Sequence, residues 1–184
     1  GEDFITLSGE GVTDAPKADL FEDFSCSYCA ELEVETGEPM LEALKAGEIA
    51  VDLRPMVFLD GQQQAYPPGP STASASAMLA LFAHGETAPA LNLRAYLFEN
   101  QEDVYKKLET ADLADLAADY GASDAALQDI RDEKYAEAVK EMSDANLKLQ
   151  EERAGEAWTP RVMLDEKDID GDVGQWVETL KASK

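Results

Sequence analysis

Two cysteines are the residues of this chain whose type and spacing could do chemistry. Cys26 and Cys29 lie in the segment 24–30, FSCSYCA, and are the only cysteines among the 184 residues. Apolar residues 18–24 precede the pair and helical spacing follows it, so Cys26 falls where a helix begins. The free N–H groups and the positive dipole end of a helix stabilise a thiolate, which is the reactive species in disulfide exchange. We therefore predict that Cys26 is the nucleophile and that Cys29, one turn further in, is the resolving thiol.

A metal site and a structural staple are the other uses of such a pair. A structural zinc site needs four ligands, and the one histidine, His84, stands beside Gly85 at a predicted helix end, where histidine is an ordinary capping or surface residue. A disulfide between cysteines this close in sequence closes almost no loop and adds little stability. We therefore expect no metal and no cofactor other than a redox-active disulfide. A non-catalytic binding protein with an inert disulfide remains an alternative.

The composition argues against two classes of partner. The formal net charge is −24, from 39 acidic and 15 basic residues. Nucleic acids and anionic lipid surfaces are bound through clustered lysine and arginine, so we expect neither as a partner. No apolar stretch is long enough to span a bilayer, and no basic start leads into an apolar stretch as in a signal peptide. The chain opens at Gly1-Glu2-Asp3, so an earlier removal of a signal or anchor stays open.

The elements that must position the cysteines follow from the apolar pattern. Segments with strand character are 4–7, 18–24, 49–59 and 161–164. Segments with helical character are 30–44, interrupted near Gly37 and Pro39, then 71 to about 155, whose last long helix opens at Ser123, and 173–180. Residues 62–70 read as a polar, proline-rich loop. The order is βαβ, a helical block, β and α, and the first crossover favours parallel pairing of its two strands.

A second feature is Trp158-Thr159-Pro160, directly before the strand 161–164. Together with the segment 21–29, FEDFSCSYC, the helical block and the segment 155–162, GEAWTPRV, it makes the chain resemble the DsbA-like thiol-disulfide oxidoreductases. The resemblance implies an α/β, thioredoxin-like fold with an all-α helical insertion. By this likeness residues 1–62 plus 155–184 form the thioredoxin-like domain, and residues 63–154 form the inserted helical domain.

The resemblance also assigns roles around the redox pair Cys26 and Cys29. Thr159-Pro160 becomes the cis-proline loop, whose backbone offers an edge for an extended substrate, and Trp158 is either substrate-facing or core. Ser27 and Tyr28 stand where the family often has Pro-His and would tune the pair. Because tyrosine carries no positive charge, we expect an acid-shifted Cys26 but a weaker oxidant than relatives with histidine.

Two acidic residues are candidates for moving a proton. Many relatives have a buried acid six residues before the first cysteine, where this chain has Leu20. Glu22 and Asp23 are nearer to the pair, and strand alternation places them on opposite faces. One of them could relay a proton to Cys29. The alternative is a solvent-facing charge for each, since acids are seldom buried without a partner.

The function implied by these residues is that of a protein disulfide oxidoreductase. The resemblance implies oxidation of reduced or unfolded secreted polypeptides and regeneration by a membrane-bound redox partner. A disulfide donor belongs outside the reducing cytoplasm, so we expect an extracytoplasmic location in a bacterial cell envelope, and a monomer. A reductase or isomerase on the same fold remains open. Glutathione-dependent chemistry on small molecules is a weaker alternative, because it does not need two cysteines at this spacing.

Overall fold

A computed structural model of the chain describes residues 3–61 and 69–183. Within these residues five strands form one mixed sheet in the order β1-β3-β2-β4-β5. The strands are β1 (Ile5–Ser8), β2 (Lys17–Glu22), β3 (Ala50–Pro55), β4 (Arg161–Leu164) and β5 (Lys167–Asp168). The helices are α1 (Ser27–Lys45), α2 (Pro70–Ala83), α3 (Thr87–Glu99), α4 (Gln101–Val104), α5 (Thr110–Asp119), α6 (Asp124–Arg131), α7 (Ala136–Ala154) and α8 (Trp176–Lys181).

The centre of the sheet is the parallel pair β2 and β3, joined by α1. Leu20 of β2 lies opposite Leu53 of β3, and the two strands run in the same direction, as the crossover predicts. β1 pairs with β3 and β4 pairs with β2, both antiparallel. All six residues of β3 are buried, as expected for a central strand that is covered on both faces. β2 therefore ends in the middle of the sheet, where residues 23–25 lead into α1.

The two faces of the sheet are covered by different helices. On one face, Leu20 and Met40 pack in one cluster with Trp176 and Leu180 of α8. On the other face, Phe21, Met56 and Met163 pack against side chains of α7. A third cluster is formed mainly by α2, α3, α5 and α6 and also contains Phe24, Cys26 and Cys29. The redox pair thus lies where the sheet region meets the helical block.

The structure corrects the predicted interruption of the first helix. α1 runs unbroken from Ser27 to Lys45 through Gly37 and Pro39. Tertiary packing outweighs the low helix propensity of these two residues. Met40 is only 1% exposed, and the Trp176 indole donates a hydrogen bond to Thr36 one turn before Pro39.

Two further boundaries differ from the sequence prediction. β3 ends at Pro55, and residues 58–60 form a 3-10 turn, not a continuation of the strand. Beyond Pro55 the Val57 N–H donates to the Ser143 hydroxyl of α7 and not to a neighbouring strand. The helical segment that opens at Ser123 is two helices, separated at Glu133, whose φ of 48° is not helical. The predicted loop 62–70 falls mostly on residues 62–68, outside the described part of the chain.

Candidate active site

Cys26 caps the N-terminus of α1, as its spacing predicts. Its backbone is extended, with φ −83° and ψ 116°, and the helix begins at the next residue. The Cys26 carbonyl accepts hydrogen bonds from the N–H groups of Cys29 and Ala30, at 3.1 and 3.2 Å. The Cys26 N–H donates to the carbonyl of Asp23 at 3.0 Å. These bonds place the Cys26 sulfur beside the unpaired N–H groups of the first helical turn.

The two thiols lie together and have opposite pKa shifts. Both cysteines are free. The pKa of Cys26 is lowered to about 6, mainly because the Cys29 thiol donates a hydrogen bond to its sulfur. Contact with Thr159 and the N–H groups of Cys29 and Tyr28 add to the lowering, and burial opposes it. The pKa of Cys29 is raised, first by burial and then by its bond to the Cys26 sulfur. At neutral pH the pair is therefore one thiolate, Cys26, and one thiol, Cys29.

The loop before β4 covers the Cys26 sulfur. The peptide bond between Thr159 and Pro160 is cis, as the resemblance implies. When it is protonated, the Cys26 thiol donates a hydrogen bond to the Thr159 carbonyl oxygen, which lies 3.4 Å from the sulfur. Cys26 is consequently only 7% exposed. The Thr159 hydroxyl is buried and has no hydrogen-bond partner among the described residues.

Trp158 is an anchored side chain and not a core residue. It is 38% exposed, and the Arg161 guanidinium lies 3.6 Å from the centroid of its ring. Arg161 is 2% exposed and is held by Asp168 and Gln150. The backbone N–H of Trp158 also donates to the Gln150 side-chain oxygen, at 3.2 Å. One face of the indole is thus fixed on a buried cation, beside the loop that contacts Cys26.

Ser27 and Tyr28, the two residues between the cysteines, are exposed. The Tyr28 side chain is 68% exposed. A groove of about 570 Å³ begins at Ser27 and runs between α1 and the end of α3. Its carboxylates are Glu31, Glu35, Glu99, Glu102 and Asp103. The surface beside the redox pair is therefore open and acidic.

Glu22 is buried in an ion-pair cluster that the sequence did not reveal. Arg94 of α3 donates to Glu22 from Nε and Nη2, and to Glu33 of α1 from Nη1 at 2.6 Å. Burial raises the pKa of Glu22, and Arg94 opposes this. A Cβ at Gly37 would lie 2.4 Å from a Glu33 oxygen, so this glycine gives the Glu33 carboxylate its room. The solvent-facing interpretation of Glu22 is wrong, because its carboxylate is buried and paired with an arginine 72 residues away.

Asp23 is also buried, so a solvent-facing charge is wrong there too. It accepts hydrogen bonds from the Ser71 hydroxyl at 2.6 Å, the Ser25 N–H at 2.9 Å and the Leu59 N–H at 3.2 Å. The pKa of Asp23 is raised to about 6, mainly by burial, against the effect of these bonds. Since Ser71 donates its proton to Asp23, the Ser25 hydroxyl must be the donor in the 2.6 Å bond between the two serines.

A small cavity beneath the two cysteines is bordered by only one of the two acids. Cys29, Glu22, Glu33, Arg94 and Pro160 all border it, and Asp23 does not. The Glu22 charge contributes to the raised pKa of Cys29. Of the two acids, Glu22 is therefore the one whose carboxylate faces the Cys29 thiol. Long-range pairing of this kind leaves no local sequence signal, apart from three charged residues in segments that are otherwise buried.

We find no metal-binding cluster among the described residues. Residues 3–61 and 69–183 contain no group of three or more His, Cys, Asp or Glu side chains arranged to hold a metal ion. His84 follows the end of α2, and its Nε2 lies 2.9 Å from Asp129. In the same part of the chain, every helix is too short or too polar to cross a membrane.

A thiol pair at a helix start beside a cis-proline loop, on this fold, defines a thiol-disulfide oxidoreductase. A thioredoxin family model matches residues 9–182, and the chain belongs to that family. No curated protein sequence matched the chain.

Several solved structures are similar to the chain over nearly its whole length. MdbA, a thiol-disulfide oxidoreductase from Corynebacterium diphtheriae, is 37% identical, with a TM-score of 0.89 over 97% of this chain and 89% of that one. MdbA from Corynebacterium matruchotii is 31% identical, with a TM-score of 0.88 over 97% and 87%. DsbA from Mycobacterium tuberculosis is 17% identical, with a TM-score of 0.74 over 99% of both chains, and this likeness shows the fold alone.

Proposed function

We propose that this oxidoreductase oxidises cysteine pairs in reduced or unfolded polypeptides outside the cytoplasm, with the Cys26–Cys29 disulfide as its redox group. The supporting observation is the lowered pKa of Cys26, to about 6, in a thiol that touches the Thr159-Pro160 loop. A stabilised Cys26 thiolate is a good leaving group, and it favours the reduced form of the enzyme. The Cys26–Cys29 disulfide therefore tends to be passed on to substrate cysteines.

The reaction that we propose proceeds in two exchanges. A substrate thiolate attacks the Cys26 sulfur, the bond between Cys26 and Cys29 breaks, and Cys29 leaves with the electron pair and takes up a proton. A second substrate thiolate attacks the substrate sulfur of the mixed disulfide, and Cys26 leaves as a thiolate. Two electrons pass from the substrate dithiol to the enzyme. The high pKa of Cys29 supports its immediate protonation.

Trp158, Thr159 and Pro160 are the residues that we assign to substrate binding. The contact between the Cys26 sulfur and the Thr159 carbonyl places this loop at the reacting atom. An extended polypeptide bound along the loop would meet the exposed part of the Trp158 indole. The arginine stacked on the other side keeps the indole in place, so little side-chain entropy is lost on binding.

Ser27 and Tyr28 are proposed to tune the pair. Neither can place a positive charge near the thiolate, in contrast to a histidine at the second position. The thiolate is instead stabilised mainly by hydrogen bonds, chiefly from Cys29. This supports a disulfide that is oxidising but weaker than that of the strongest known oxidants.

Glu22 is the better candidate for a proton relay to Cys29, whereas Asp23 is connected to the loop beside Cys26. Glu22 borders the same small cavity as Cys29 and has a raised pKa. Asp23 connects through Ser71 to the Ser25 hydroxyl, next to Cys26. We propose that Glu22 exchanges the Cys29 proton and that Asp23 organises the loop before α1.

The wider setting of the enzyme is proposed on chemical grounds. A donor of disulfides must itself be reoxidised. By the likeness to DsbA-like proteins, we propose a membrane-bound redox partner in a bacterial cell envelope. We propose a monomer with a thioredoxin-like domain, 1–62 plus 155–184, and an inserted helical domain, 63–154. The core cluster that is formed mainly by α2, α3, α5 and α6 supports this division. The boundary between 62 and 63 lies outside the described residues.

The decisive experiment measures direction and trapping together. The redox potential is obtained by equilibration with glutathione, and we expect a value between thioredoxin, at about −270 mV, and the strongest oxidants, at about −120 mV. The oxidised protein should restore activity to reduced ribonuclease A. Cys29→Ser should trap mixed disulfides with the ribonuclease, and Cys26→Ser should trap none.

Other outcomes would select the other functions. A potential near that of thioredoxin, with activity only on scrambled ribonuclease, would replace the oxidase by a reductase or isomerase. No trapped species and no activity in either assay would leave a binding protein with an inert disulfide.

A further inference from the structure

The inserted helices contact the backbone of the redox centre through Gln101. This residue opens α4, and its Nε2 donates hydrogen bonds to the carbonyls of Phe24, at 2.7 Å, and Cys26, at 3.0 Å. A glutamine amide has two N–H groups, so both are used on these two carbonyls. The two bonds bridge the segment that carries Ser25 and ends at the reactive cysteine.

A second contact makes this attachment rigid. The Phe24 ring stacks on Phe98 of α3, with centroids 4.7 Å apart and an angle of 19° between the planes. Phe98 and Gln101 are close in the chain and both contact Phe24. Phe98 packs on its side chain, and Gln101 binds its carbonyl. Both phenylalanines are buried, at 6% and 1% exposed. Residues 24–26 are thereby fixed to the insert before α1 begins.

We propose that Gln101 is a positioning residue for the redox centre, through which the helical insert orients the backbone of residues 24–26 and favours the thiolate form of Cys26. This inference rests on the proposed disulfide exchange at Cys26.

The physical reason is the charge on the two carbonyl oxygens. A carbonyl oxygen carries partial negative charge, and near a developing thiolate it disfavours the anion. The Gln101 N–H groups offset this charge and keep the Cys26 carbonyl aligned with the first turn of α1, where it also accepts from Cys29 and Ala30. Without the amide, the carbonyls turn toward water and the first turn loosens, so the N–H groups that face the sulfur are less well placed.

The test is a series of variants of the full chain at one position. Gln101→Met keeps the length and removes the donor, Gln101→Glu puts a negative oxygen in its place, and Gln101→Lys restores a donor. We expect Gln101→Met to raise the Cys26 pKa by about 0.5 to 1, which is the effect of a net hydrogen bond. Gln101→Glu should raise it further, and Gln101→Lys should leave it at or below the wild-type value. Thiolate absorbance during a pH titration measures the pKa.

The redox equilibrium gives an independent measurement. With a Cys26 pKa raised by that amount, the equilibrium with glutathione at neutral pH should move about three- to fivefold toward the oxidised protein. Gln128→Glu is the matched control, because it makes the same change on α6 at a solvent-exposed position, where the side chain donates a hydrogen bond to Asp132. This control should change neither quantity.

The outcomes separate this inference from the proposed function. If Gln101→Met lowers thermal stability but leaves the pKa and the glutathione equilibrium of wild type, Gln101 only fastens the insert and the inference is wrong. The inference is also overturned if the Cys26 pKa does not increase in the order Gln101→Lys, Gln101→Met, Gln101→Glu. Wild-type protein that does not exchange disulfides at all would instead remove the proposed function, whatever the variants show.

Discussion

Arg94 donates two hydrogen bonds to Glu22, from Nε at 2.7 Å and from Nη2 at 2.6 Å, although 72 residues separate them in the chain. The third bond of the guanidinium goes to Glu33. Two carboxylates on one arginine leave a net negative charge when both are ionised, and this charge faces Cys29. The insert therefore contributes to the electrostatics of the buried thiol, and the first predictions concern this cluster.

The variant Glu22→Gln should distinguish the electrostatic effect of the Glu22 charge on Cys29 from the proposed transfer of the Cys29 proton to Glu22. The variant lowers the pKa of Cys29, because the glutamate charge helps to raise it. On that ground alone, attack by Cys29 on a mixed disulfide should become faster. If Glu22 accepts the Cys29 proton, the attack should become slower, by about 100-fold for loss of a general base.

The measurement is the decay of a mixed disulfide between Cys26 and glutathione. Glu31→Gln is the control, since Glu31 is exposed and lines the open groove. Decay in Glu22→Gln that is as fast as in wild type, or faster, would falsify the relay.

Arg94→Met should be strongly destabilising. It leaves Glu22 and Glu33 buried at 4% and 6% exposed without their cation. Removal of one partner from a buried ion pair costs about 3 to 5 kcal/mol, measured by urea unfolding of the reduced protein.

The loss of stability in Arg94→Met should increase with pH. Without Arg94 the folded-state pKa of Glu22 rises further above its unfolded value. The destabilisation is therefore smallest at low pH, where the acid is protonated in both states, and grows as pH rises. Arg131→Met is the control, because its pair with Asp115 is 3.8 Å long and exposed. An equal loss in the two variants would contradict burial as the cause.

Cys26 should titrate well below an ordinary thiol. The reduced protein should show a thiolate midpoint near 6, and Cys26→Ser should show none in this range. Because the folded pKa lies below the unfolded one, the thiolate stabilises the reduced fold fully above the unfolded value of about 8.5 and loses this effect as pH falls through about 6. The stability difference between wild type and Cys26→Ser should therefore increase with pH across this window. A midpoint near 8.5 would be incompatible with the site described.

Tyr28→His should make the disulfide a stronger oxidant. A histidine at this exposed position can carry a positive charge near the Cys26 sulfur. We expect the Cys26 pKa to fall and the equilibrium with glutathione to move toward the reduced protein by about tenfold, or about 30 mV. Tyr28→Phe, which adds no charge, should stay within about twofold by the same equilibrium. Equal effects of both variants would show that the tyrosine hydroxyl, and not the missing charge, sets the potential.

Trp158→Ala should weaken the reaction with polypeptides more than that with small thiols. Loss of an aromatic contact of the kind found at interfaces corresponds to about tenfold in kcat/KM for reduced ribonuclease A. Reaction with glutathione, which is too small to need the indole, should hardly change. Val173→Ala, at a residue that is similarly exposed, serves as the control. A parallel loss toward both substrates would mean that Trp158 only supports the Thr159-Pro160 loop.

The chemistry and the element order could be read from the sequence because both are local patterns. The cysteine pair at a helix start and the Thr159-Pro160 dipeptide before a strand are short segments whose meaning does not depend on distant residues. The parallel pairing of β2 and β3 follows from the length of the crossover between them. In contrast, α1 continues through Gly37 and Pro39 because packing against Trp176 outweighs local propensity.

The surroundings of the two sulfurs were decided only by the tertiary structure. The contacts of Glu22 with Arg94, of Asp23 with Ser71, and of Gln101 with the Cys26 carbonyl join residues 48 to 75 positions apart. Each depends on how the helical insert packs on the sheet, and no periodicity or spacing encodes such a pairing. The sequence by itself therefore determined which atoms react, whereas folding decided which charges and dipoles face them, because electrostatic effects depend on distance in space and not along the chain.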